Sequence, residues 1–214
     1  MKKRILCFGD SNTWGYTVTG GRFEDDVRWP ARLGTLLGNG YTVIEEGFNG
    51  RTCVYDDPIE GGYKSGLTYL PPCAMTHTPL DLVIIMLGTN DCKKRFQMTP
   101  FTIGGGVTAL VKAVREYAQD RNGASPKILI MAPAPILENV METRHAEIFG
   151  PDAPIVSKGL SAELARVAKL MRCAFLDAGQ YADVSPVDAV HLTREGHLAL
   201  AEAVREKVLD LLAQ

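Results

Sequence analysis

Five short apolar runs, at 4–8, 41–45, 82–87, 127–131 and 174–176, recur along the chain with helix-patterned segments between them. Rich in β-branched residues and nearly continuous, such runs suit strands buried on both faces. Helical patterns fall at about 26–37, 100–120, 155–171 and 194–213, the last with Leu198, Ala201, Val204, Val208 and Leu211 at helical spacing. Strand–helix alternation implies a parallel sheet with helices on both sides. Right-handed crossovers then leave a three-layer α/β architecture, a doubly wound, flavodoxin-like sheet of about five strands that binds its ligand beyond the carboxyl ends of the strands.

Nothing in the composition divides the chain, so all of 1–214 reads as one domain around one sizeable core. Two segments interrupt the alternation, 17–25 with Gly20-Gly21 and the proline-rich 133–154; both are expected to be long loops able to wall a pocket. The formal charge is only -2, and no stretch gathers enough Lys or Arg to track a phosphate backbone, which argues against nucleic acid and acidic membranes as partners. The Met1-Lys2-Lys3-Arg4 start leads into too short an apolar run for a signal peptide, and the five scattered cysteines form no CxxC pair. The expectation is a cytoplasmic protein with reduced thiols and no membrane span.

The first strand ends in Gly9-Asp10-Ser11-Asn12-Thr13, which sets a serine hydroxyl at the sheet's carboxyl edge. A serine nucleophile needs an adjacent base, itself oriented by a third group. Of four histidines, His191 in Asp188-Ala189-Val190-His191 follows the last strand, at an i to i+3 spacing that brings Asp188 to Nδ1 and leaves Nε2 for Ser11. His77 and His145 lack a local carboxylate and are expected to be structural or solvent-exposed; His197 is expected at the surface. An oxyanion needs donors: the N–H of Ser11, a backbone N–H of Gly50 after the second strand, and the Asn90 amide after the third. Alone, Ser11 would read as a helix cap and Asp188 with His191 as a turn. Together with Asn90 they read as a hydrolytic site.

In order along the chain, Gly9-Asp10-Ser11, Gly50, Gly88-Thr89-Asn90-Asp91 and Asp188-Ala189-Val190-His191 resemble the four blocks of the SGNH (GDSL-type) serine hydrolases. Asp26-Val27-Arg28-Trp29, Val43-Ile44-Glu45-Glu46-Gly47, Tyr69-Leu70-Pro71 and the run Leu80-Asp81-Leu82-Val83-Ile84-Ile85-Met86-Leu87 are similar to the aryl esterase and acyltransferase branch. The likeness covers most of 4–95 and about 173–200, with 96–172 matching in outline. It implies a flavodoxin-like fold, a small-molecule ester substrate, no metal or organic cofactor, homo-oligomers, and acyl transfer to alcohols or peroxide beside hydrolysis. Asn12 replaces the leucine of the GDSL name and Glu45 a frequent asparagine, which implies an acyl-pocket lining and loop support that differ from those of relatives; Asn12 is expected against the substrate, as is Trp14, the aromatic three residues beyond the nucleophile.

Other chemistries fit less well. A metal-dependent phosphoesterase would use Asp10, Asn90, Asp91, Asp188 and His191 as ligands, but such sites recruit several histidines and would leave Ser11 without a task. An FMN-binding module would need a phosphate-cradling loop where bulky Trp14 stands. Thr13 occupies the second glycine of GxSxG, which disfavours the α/β-hydrolase elbow. The GxGxxA pattern at Gly104-Gly105-Gly106-Val107-Thr108-Ala109 does not end a strand and reads as a loose helix start or close helix packing. With the same triad, a deacetylase of acetylated carbohydrate is the nearest alternative substrate class.

Overall fold

The computed structural model describes residues 1–213 and assembles the five runs into one parallel sheet: β1 (Lys3–Gly9), β2 (Tyr41–Gly47), β3 (Leu82–Met86), β4 (Lys127–Ala132) and β5 (Ala174–Asp177). Their order is β2-β1-β3-β4-β5 with every ladder parallel, the flavodoxin-like order in which the chain reverses its direction of growth between β1 and β3. Gly9 sits in register with Gly47 on one side and Met86 on the other. Strands β2, β1 and β3 therefore end at one level, and the loops that follow them open onto the same crevice.

Seven α-helices complete the layers: α1 (Ser11–Trp14), α2 (Trp29–Leu37), α3 (Gly66–His77), α4 (Pro100–Tyr117), α5 (Ala146–Phe149), α6 (Ala153–Leu170) and α7 (Arg194–Ala213). Alternate side chains of β1 feed opposite faces, as the two-residue strand period requires. Ile5 and Cys7 pack with Trp29 and Leu33 of α2 and Leu200, Val204 and Val208 of α7. Leu6 and Phe8 pack with Leu70, Val107, Leu110, Leu160 and Leu164 of α3, α4 and α6. Each of these large side chains contributes about 1.5–3 kcal/mol on burial. The central strand β3, Leu-Val-Ile-Ile-Met, is buried at every position, whereas the edge strand β2 is partly exposed throughout.

Three departures from the sequence pattern have local causes. Helix α3 was hidden by Pro71 and Pro72, which lie inside it and remove two intrahelical donors. It starts nonetheless on a cap, the Ser65 hydroxyl accepting from the Thr68 N–H at 3.2 Å. The 133–154 segment is not all loop, since it holds a 3₁₀ turn at Glu138–Glu142 and the short α5. Gly104 and Gly106 serve helix packing: a Cβ at Gly104 would lie 2.4 Å from Glu163 of α6, and one at Gly106 2.8 Å from Cys53.

Glu45 takes two hydrogen bonds from Arg28, from Nε and Nη2 at 2.6 and 2.8 Å, and ties β2 to the start of α2. All five cysteines are free thiols, four of them buried. No helix among the described residues is long and apolar enough to cross a membrane.

Candidate active site

The chain turns from β1 into α1 at Asp10, whose carboxylate accepts the Asn12 N–H at 2.9 Å and so takes the capping role. Ser11 is thereby freed from capping. Its Oγ lies 3.0 Å from Nε2 of His191, and His191 Nδ1 lies 2.7 Å from Oδ2 of Asp188. The other Asp188 oxygen accepts the backbone N–H groups of Val190 and His191 at 3.1 and 3.0 Å. Ala189, at φ 65°, bends the turn tightly enough for the carboxylate to reach the ring three residues on. Burial raises the Asp188 carboxyl, but the His191 ring and these N–H groups outweigh it and hold the group at about 2.

Ser11, Gly50 and Asn90 each bring an N–H group to the wall of one cavity. Among the described residues no protein acceptor takes the N–H of Ser11 or of Gly50. Gly50 has φ 80°, and a Cβ there would sit 2.9 Å from Glu60 Oε2, so both its conformation and its neighbour call for glycine. Asn90 gives one amide hydrogen to the Arg51 carbonyl at 3.1 Å, which fixes the side chain and leaves the second hydrogen for the cavity. Beneath them Asp91, fully buried, accepts the Cys53 N–H with both oxygens at 3.0 Å and ties the Asn90 loop to the segment after Gly50. Burial pushes the carboxyls of Asp91 and Asp10 up to about 6.

These groups open on a cavity of about 350 Å³ whose walls include Ser11, Gly50, Asn90 and His191. Asn12 and Trp14 are not on that wall, contrary to expectation. Asn12 is buried, donating to the Val190 carbonyl at 3.2 Å and accepting the Leu192 N–H at 3.0 Å; a short polar side chain here fastens α1 to the His191 turn. Trp14 turns away to lie under the Arg22 guanidinium, 5.2 Å from the ring centre.

Two of the other histidines, His145 and His197, also differ from their sequence reading, whereas His77 has the structural place expected of it. His145, delivered by the 133–154 segment, lines the cavity with its ring 5.7 Å from that of His191, and burial followed by the His191 charge lowers its pKa. The neighbouring Arg144 reaches Asp188 Oδ2 at 3.5 Å. Local spacing held no sign of either, because the contact is made across the fold. His197 is not at the surface but fully buried, edge-on to Phe23, with its Nδ1 3.4 Å from the Trp29 N–H; burial pushes it down to about 3. His77 is half-buried and bonded to Glu46 at 2.9 Å.

Tyr16, Glu60 and Lys93 are further wall residues that the sequence did not reveal. Lys93 is buried in ion pairs with Glu60 at 2.7 Å and Asp57 at 3.2 Å. Of the five ligands a phosphoesterase would need, Asp10 and Asp91 spend oxygens on backbone N–H groups; the ligand atoms that gather here belong to His145, Asp188 and His191.

A hydroxyl bonded to an imidazole that is bonded to a buried carboxylate can lose its proton as it attacks an electrophilic carbon, and nearby N–H groups can hold the oxyanion that results. The model of the GDSL-like Lipase/Acylhydrolase family matches residues 7–199. The chain belongs to that family.

Among GDSL-family structures, the native aryl esterase of M. smegmatis is 39% identical, with a TM-score of 0.90 over 98% of this chain and 99% of its own. A carbohydrate acetylesterase family member from Sinorhizobium meliloti is 36% identical, with a TM-score of 0.93 over 99% of this chain and 100% of its own. A curated acetylxylan esterase of Xylanibacter ruminicola is 26% identical over 94% of this chain, which spans only 42% of that relative's length.

Proposed function

We propose that this GDSL-family protein hydrolyses small carboxylic esters through an acyl-serine intermediate. The observation that carries the proposal is the convergence, on one cavity, of the Ser11–His191–Asp188 chain and the donors of Ser11, Gly50 and Asn90. Ser11 Oγ attacks the ester carbonyl while His191 Nε2 takes its proton. Asp188 stabilises the imidazolium and holds its tautomer. The carbonyl oxygen, now negative, lies among the three donors; collapse expels the alcohol, protonated by His191, and water attacks the acyl group by the same route in reverse.

A cavity of about 350 Å³ suits a short acyl group with a compact leaving group. Tyr16, whose ring centre is 4.6 Å from that of His191, and Phe149 offer apolar walls for an aryl alcohol. Asn49, Glu60 and Lys93 on the same wall favour a second reading, a sugar bearing an acetyl group. An alcohol or peroxide bound at the leaving-group side would take the acyl group instead of water, as in acyl transfer.

The test is turnover of p-nitrophenyl acetate and of a peracetylated sugar by wild type and Ser11→Ala, with intact-mass detection of an organophosphonate adduct. Loss of nearly all turnover in the variant, with one adduct on wild type, is expected. A fully active Ser11→Ala protein would overturn the serine mechanism, and the ratio of the two substrates selects between the readings.

A further inference from the structure

Outside the cavity, between β2 and α3, three groups that ligate transition metals converge. Cys73 and His77 stand four residues apart on α3, so they share one face of the helix. Glu46 of β2 faces them, and one ligand atom from each of the three lies within 4.8 Å of the others. Tyr69, one further turn back on the same face, brings its hydroxyl to Glu46 at 3.2 Å. None of these four residues lines the cavity.

We propose that Glu46, Cys73 and His77 form a binding site for a zinc-type divalent metal ion, with Tyr69 or water in the fourth position. A thiolate, an imidazole and a carboxylate are the donor set that Zn²⁺ and Co²⁺ accept in tetrahedral geometry. His77 and Glu46 are partly exposed while Cys73 is buried, so the ion enters from the solvent side and meets the sulfur last.

Binding forms a metal–sulfur bond and releases the Cys73 proton to solvent. His77, whose Nε2–H donates to Glu46 in the metal-free protein, shifts to the tautomer with its proton on Nδ1, which frees the Nε2 lone pair for the metal, and the Glu46 carboxylate gives up its bond to the ring. Arg51 is the adjacent cation, but its guanidinium donates to the carbonyls of Gly9 and Glu46 and lies over the Tyr69 ring, 5.0 Å from its centre. The two negative ligands outweigh it. Hydrogen bonding ties Glu46, His77 and Tyr69 together, and Cys73, buried on the same helix face, brings its thiol beside Glu46 to complete the three-ligand group.

The experiment titrates the full-length, chelator-stripped protein with Co²⁺ and follows the sulfur-to-cobalt charge-transfer band in the near ultraviolet. One equivalent is expected to bind, with displacement by Zn²⁺. Cys73→Ser should abolish the band, and His77→Gln, with its fold checked by circular dichroism, should weaken binding by about tenfold or more. His145→Gln should change neither, because the His145, Asp188 and His191 group contains no sulfur. Absence of the band at saturating Co²⁺, its survival in Cys73→Ser, or unaltered affinity in His77→Gln would each overturn the assignment.

Discussion

The turn that carries His191 and the floor beneath Ser11 each bury a carboxylate, at 1% exposure for Asp188 and 0% for Asp91, yet the two ionise in opposite senses. Burial raises both. Asp188 then receives the His191 ring and two backbone N–H groups and falls to about 2, while Asp91 shares one N–H between both oxygens, feels the nearby Asp10 carboxylate and stays near 6. Direct donors, not depth, decide the outcome. On the proposed mechanism, the charge held fully at Asp188 faces the imidazolium that forms on His191.

The largest effect should come from taking the charge away at the turn. Asp188→Asn is expected to keep the fold by circular dichroism and to lower ester turnover by about 10⁴-fold, since the amide presents the wrong partner to Nδ1. A loss of only a few-fold would break the comparison, because the charge held there would then have no catalytic part. Next in size, Asn90→Ala should cost on the order of a hundredfold in kcat with little change in KM. Full activity would remove Asn90 from the donor set and leave the floor's tie through Asp91 without a purpose.

A stability measurement sharpens the contrast further. Asp91, with its pKa raised from 3.8 to about 6, favours the folded state most below about pH 4, and this contribution is lost as pH rises through 6. Asp188, with its pKa depressed, does the reverse, adding stability above about pH 4 that is lost as pH falls towards 2. Urea unfolding of Asp91→Asn should therefore compare better with wild type at pH 7 than at pH 4, by on the order of 1–3 kcal/mol. A difference that does not vary with pH would mean that Asp91 ionises normally. The smallest effect belongs to Arg144→Ala: its guanidinium is half-exposed and 3.5 Å from Asp188, so turnover should change less than about fivefold.

The sheet was readable because buried parallel strands write themselves as apolar runs, and the reactive trio because each member follows a strand. What stayed hidden depends on contacts between distant segments. The 66–77 segment drew no helical expectation, and Pro71 and Pro72 interrupt its pattern, yet α3 runs through them, its first turns set by the Ser65 cap and its Leu70 and Cys73 face buried against the sheet. Asn12 looked like a pocket residue because it stands where the GDSL pattern has leucine, yet its side chain bonds to the backbone of Val190 and Leu192. His145 and His197 were misplaced for opposite reasons. A proline-flanked segment folds back over the site and carries the first inward, whereas the second lies on the buried face of α7, where spacing alone cannot tell an apolar ring contact from exposure to solvent.

The bond from Ser11 to His191 and the two from Asn12 to the same turn join parts of the chain about 180 residues apart. A ribosome adding ~5–20 residues per second needs roughly 9–36 s to pass from one to the other. During that interval the hydroxyl of Ser11 has no base and no clamp. The growing polypeptide thus carries Ser11 long before the turn that meets it exists, and that turn is followed at once by α7, which packs on α2.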